Sequence, residues 1–154
     1  LVPLSVAWQH GLGRSAPFST APGPRGVIVA LQPTALTAAQ VLSGELEAVI
    51  PSGSRIVGSN YRASVFIAYE LGAQAYGRAE QGYDIDDARF RDLLRTHGID
   101  FYLYFLPVAA GSDPPAGLAL LGPTVAVRTT EIACSDRAGA PSEPCDIHVV
   151  EITH

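Results

Sequence analysis

The sequence predicts a small three-layer α/β domain with a mainly parallel sheet and an antiparallel C-terminal β-hairpin. Three observations predict it. Apolar positions at helical spacing alternate with short apolar runs through the middle of the chain, the connections between them are short, and the last third holds β-like runs only. Helices and strands that alternate across short connections call for right-handed crossovers and a parallel sheet.

Residues 1–25 read as an irregular arm or linker, broken by Gly11, Gly13, Pro17, Pro22, Gly23 and Pro24. Trp8 is the exception there, and a lone Trp in such a stretch packs into a groove of its own domain. The run Val27-Ile28-Val29-Ala30-Leu31 fits either a strand or an arm lying against the core. Residues 26–154 then read as one domain. Thr37-Ala38-Ala39-Gln40 fits a capping box, Leu36, Ala39, Leu42, Leu46, Val49 and Ile50 recur at helical spacing, and Pro51-Ser52-Gly53 stops the helix. Arg55-Ile56-Val57-Gly58 follows as a short strand. Asn60 can cap a second helix carrying Val65, Phe66, Tyr69 and Leu71, and Gly72 can end it in a left-handed turn. Residues 73–77 form a weak strand. Asp84-Ile85-Asp86-Asp87 opens a third helix with acid at its positive end, Phe90, Leu93 and Leu94 make its apolar side, and Gly98 closes it. Residues 99–106 are the strongest strand, a near-continuous apolar run of the kind buried on both faces, ending at Pro107. Residues 118–121, 125–132 and 147–152 are expected to finish the chain as a β-meander. The order of elements makes the expected fold Rossmann-like.

Composition narrows the function classes. The chain has 154 residues, 47% of them hydrophobic and only 16% charged, enough to bury a sizeable core. The net charge is −5, and all ten basic residues are scattered arginines. Nucleic acid is therefore excluded as a partner, because phosphate binding needs clustered positive charge. No apolar run approaches the roughly 18 residues of a membrane span. Met is absent, which points to a domain excised from a longer protein.

Cys134 and Cys145 flank a segment rich in turn formers that joins two strand-like runs. Their spacing fits neither a redox C-x-x-C pair nor a zinc site. A disulfide across the neck of a hairpin is favoured over two free thiols, because free thiols normally sit in apolar settings. It would imply an oxidising compartment.

Ligands of an open α/β sheet sit beyond the carboxyl ends of its strands. That rule singles out Ser59, Asn60 and Tyr61, and then Arg78 and Glu80. Gly58-Ser59-Asn60 lacks the glycine spacing of a phosphate-binding loop, so no nucleotide cofactor is expected. Asp84, Asp86 and Asp87 are better explained as helix-capping acids than as metal ligands, and no metal site is expected. His10, His97, His148 and His154 have no ligand spacing, and no nucleophile with an adjacent base is identifiable, so no catalytic residue is assigned. The six tyrosines are enough to line a sugar-stacking surface, and are equally at home in strand cores.

Between Leu46 and Leu106 two phrases stand out: Ile50-Pro51-Ser52-Gly53-Ser54-Arg55-Ile56-Val57, and Leu93-Leu94-Arg95-Thr96-His97-Gly98-Ile99-Asp100-Phe101-Tyr102-Leu103. This pattern resembles the extracytoplasmic C-terminal domain of polytopic membrane glycosyltransferases of the dolichyl-phosphate-mannose protein mannosyltransferase-like superfamily. The resemblance implies a periplasmic or cell-surface domain attached to its own membrane portion, which helps position an acceptor or lipid-linked sugar. It carries no catalytic residue to this chain, because that family's catalytic acids belong to the membrane part. The alternatives are a soluble Rossmann-like enzyme or nucleotide-binding protein with a site near Ser59-Asn60-Tyr61, and a structural protein-interaction module.

Overall fold

The computed structural model describes residues 44–77, 84–135 and 139–154. The arm expected over residues 1–25 and the run at 27–31 lie outside these residues, as does the start of the first expected helix. That helix is seen at residues 44–46, with Leu46 and Ile50 fully buried.

Strand β1, Arg55–Gly58, leads into helix α1, Tyr61–Leu71. Asn60 begins the helix by accepting the Ala63 N–H, and Gly72 ends it at φ 65°, a left-handed conformation that glycine adopts without a Cβ penalty. Strand β2, Gln74–Ala75, is short. Helix α2, Ala88–Thr96, is capped by Asp87, whose carboxylate accepts the Arg89 N–H at 2.9 Å. Strand β3, Phe101–Pro107, follows, and a 3-10 turn, Val108–Ala110, continues from it.

The chain then departs from expectation. Residues 118–121, expected as a strand, belong to helix α3, Ala116–Leu121. Leu118-Ala119-Leu120-Leu121 is a short apolar run that periodicity alone cannot assign. Its Ala and Leu content favours a helix, it lacks β-branched residues, and Pro115 at its threshold suits a helix start. Strands β4, Thr124–Ile132, and β5, Glu143–Glu151, make the hairpin, and β5 begins earlier than the sequence suggested.

The five strands form one mixed sheet in the order β2-β1-β3-β5-β4. β1 pairs parallel with β2 and with β3, while β5 pairs antiparallel with both β3 and β4. Four strands therefore point the same way, and β5 alone runs against them, inserted between β3 and β4. The error at α3 matters here: the expected meander is a β3-α3-β4 crossover whose last strand folds back into the gap.

Alternation along β3 sorts the core into two layers. Phe101, Leu103 and Phe105 join Ala63, Ile67, Ala68 and Leu71 of α1 on one face. Tyr102 joins Phe90 and Leu94 of α2 and Leu118 and Leu121 of α3 on the other. Helices thus cover both faces. The chain steps from β1 to β2 over the α1 face and returns from β2 to β3 over the opposite face. Reversing both direction and face keeps the hand of the crossover, as the one-handed rule requires. Arg95 fastens the lower end, donating to the carbonyls of Leu120 at 2.7 Å and Thr153 at 3.1 Å.

Candidate functional site

The crevice favoured for ligands lies where neighbouring parallel strands send their connections in opposite directions. Here that place is between β1, which leads away to β2, and β3, which leads away to α3 and β4. Ser59, Asn60 and Tyr61 stand there, but the fold already uses their polar groups. The Ser59 N–H donates to Leu103 O at 2.9 Å, and its Oγ accepts the Phe105 N–H at 3.0 Å, so the residue extends the β1–β3 ladder past the end of β1.

Asn60 is only 3% exposed and works in two directions. Its Oδ1 accepts the Ala63 N–H at 3.0 Å, while its Nδ2 donates to Ala133 O at 2.6 Å. Ser64 Oγ donates to the Asn60 carbonyl at 2.7 Å. A Cβ at Gly58 would collide with the Ser64 side chain, so the first turn of α1 lies directly on the end of β1. Tyr61 is half-buried and packs against the α1-side core. Arg78 and Glu80 lie outside the described residues.

The carbonyl that Asn60 holds belongs to the residue before Cys134. Cys134 and Cys145 are joined, with S–S 2.07 Å and Cα–Cα 5.6 Å, and both are buried in the α1-side core. Cys145 lies opposite Thr129 in β4 and Pro107 in β3, so the bridge fastens the hairpin neck next to the end of β3.

A second group of polar side chains gathers on the α2/α3 face. Tyr102 and Tyr104 alternate along β3 and project to that face, and His148 of β5 lies directly opposite Tyr104. The Tyr102 ring meets Phe90 edge-on, with centroids 5.7 Å apart, yet its buried hydroxyl has no hydrogen-bond partner. Leaving such a group unpaired costs about 1–3 kcal/mol, which makes it conspicuous in a domain of modest stability.

Burial pushes the Tyr102 phenol far above its ordinary pKa, with Tyr104 and Asp84 acting in the same direction. Burial also raises Tyr104, helped by the Asp86 and Asp84 carboxylates. His148 is lowered by burial, against the opposing pull of Asp146, and is therefore neutral at pH 7. Asp146 itself is held low by Arg128, which grips both its oxygens at 2.8 and 3.0 Å.

The acids before α2 have structural duties as well. Asp84 Oδ1 accepts the Asp86 N–H at 2.9 Å, and Asp86 Oδ1 accepts the Gly117 N–H at 2.7 Å, capping α3 from another element. Among the described residues the second oxygen of each carboxylate is uncommitted. Sequence reasoning did not assemble this group. Its signal was present as two tyrosines at alternating positions of an otherwise apolar strand, but only the β3–β5 register brings in His148.

No family model, curated protein or solved structure matches the chain. Among the described residues no helix is long and apolar enough to cross a membrane.

Proposed function

We propose that this chain is a Rossmann-like, non-catalytic extracytoplasmic accessory domain of a membrane glycosyltransferase-like protein. It is attached to the membrane portion of its own parent and helps position an acceptor or lipid-linked sugar. One observation carries the non-catalytic reading: at the crevice where an α/β enzyme keeps its ligand, the Ser59 hydroxyl and the Asn60 amide are spent on Phe105, Ala63 and Ala133. The Cys134–Cys145 bridge supports placement in an oxidising compartment. The link to glycosyltransferases rests on the two phrases around Pro51-Ser52-Gly53 and Gly98-Ile99-Asp100.

The test is to assay the isolated chain for hydrolysis and transfer of lipid-phosphate-linked sugars, together with a thermal-shift panel of nucleotides. The expected result is no turnover and no shift. A nucleotide at 100 times its dissociation constant would add about 2.7 kcal/mol, an easily seen rise. Turnover by the chain alone, or stabilisation by any nucleotide, overturns the reading.

A further inference from the structure

We propose that the buried hydroxyl of Tyr102 marks a binding site for a neutral, polyhydroxylated ring, a saccharide, lined by Tyr104, His148, Asp84 and Asp86. Its biological purpose rests on the reading above, while the site itself is argued from these side chains.

Helix α3 has six residues, about 9 Å of helix. Strands β4 and β5 have nine each, about 30 Å of strand. The helix therefore covers Tyr102 and Val150 but leaves the next row of that face to half-buried Tyr104 and His148. Asp84 and Asp86 form an exposed rim above it, at the start of α2. The unpartnered Tyr102 hydroxyl sits beneath this rim, close enough to Asp84 and Tyr104 for their charge to bear on it.

The chemistry of these groups selects among ligands. An anion is repelled by the two carboxylates. An ammonium offers only donors, so it can fill the lone pairs of the Tyr102 oxygen but leaves the O–H without an acceptor. A ligand hydroxyl does both jobs. It accepts the Tyr102 proton and passes its own to the free oxygen of Asp84 or Asp86, a chain in which each bond polarises the next. Neutral His148 adds one donor and one acceptor, and the exposed side of the Tyr104 ring offers an apolar surface for the C–H face of a sugar.

The experiment is an NMR titration of the isotopically labelled full chain with methyl α-mannopyranoside and methyl α-glucopyranoside, with choline and glycerol alongside. The ring signals of Tyr102, Tyr104 and His148 are read. Saturable shifts with at least one glycoside are expected. Tyr102→Phe, which keeps the ring and the Phe90 contact, should weaken binding about tenfold, the loss of one net hydrogen bond. Tyr104→Ala should weaken it at least as much.

Three results overturn the site: no saturable shift with either glycoside, choline or glycerol matching the glycosides, or a Tyr102→Phe variant that binds like the parent. Failure here leaves the non-catalytic reading standing, whereas sugar turnover by the chain alone removes that reading without touching the site.

Discussion

Cys134 and Cys145 are 11 residues apart in sequence, so reducing their bond frees a short loop in the unfolded chain. The entropy of closing such a loop corresponds to about 3 kcal/mol at 25 °C. For a chain of 154 residues the entropy of unfolding is about 0.3 kcal/mol/K, so reduction should lower the melting temperature by about 10 °C. The structure adds a local consequence. Cys145 is in register with Thr129 and Pro107, and the Ala133 carbonyl beside Cys134 is the partner of the Asn60 amide. Loosening the hairpin neck should therefore reach the N-terminus of α1 before the remainder of the sheet opens. The assay is a pair of calorimetric melts with and without a phosphine reductant, with alkylation to confirm reduction, followed by amide exchange at Ala63. Melting temperatures that agree within about 2 °C would refute the argument, because loop closure would then contribute under 1 kcal/mol. Unchanged exchange at Ala63 would refute the coupling through Asn60.

Asn60→Ala removes a helix cap and strands a carbonyl in one step; a loss of about 2–4 kcal/mol is expected by urea denaturation, and a loss below about 1 kcal/mol would show the bonds to be replaceable. Gly117→Ala would drive a Cβ into the backbone carbonyl of Ile85, which cannot swing aside as a side chain could; a loss of about 1–3 kcal/mol is expected, and an unchanged urea midpoint contradicts the packing. Burial lowers the folded His148 pKa, so between that value and its ordinary value near 6.5 the unfolded chain binds more protons. Stability should be full above about pH 6.5 and fall as the pH drops through that region, and His148→Gln should flatten the fall; the same slope in both proteins would show that other groups cause it.

The middle of the fold was legible because local chemistry agrees with tertiary need there. Asn60 and Asp87 are caps, Gly72 and Gly98 are left-handed stops at φ 65° and 64°, and residues 101–107 form a strand buried on both sides. The α3 helix was not legible, since four apolar residues carry no period long enough to separate helix from strand. The placement of β5 was hidden for a different reason. Its alternation says that one face is buried, but which strand it joins depends on pairings distant in sequence. The candidate site inherits that limit. Tyr102 and Tyr104 could be seen as a pair, but His148 joins them only through the inserted strand, and Asp84 and Asp86 only through the turn that Asp86 fastens to α3.

The same geometry shows what the two phrases shared with membrane glycosyltransferases can and cannot support. Both lie where β1 and β3 begin. The Gly53 N–H donates to Gly72 O at 2.9 Å, and the Arg55 N–H donates to the Asp100 carboxylate at 2.7 Å. Pro51-Ser52-Gly53 and Gly98-Ile99-Asp100 therefore set the start and register of the two central parallel strands, a task common to any domain that leads a helix into a buried strand. Ser59, the acids before α2 and the Tyr104 row all stand toward the other ends of those strands. A resemblance confined to the starting edge can speak for how the sheet is built, while recognition of a ligand is decided at the opposite edge. Arg55 provides the separating test: Asp100→Asn keeps the shape but weakens the charge-assisted bond, so it should cost about 1 kcal/mol of stability and leave glycoside binding unchanged. A variant that loses binding while keeping its stability would mean that the two edges are coupled through β1 and β3, and the motifs would then bear on function after all.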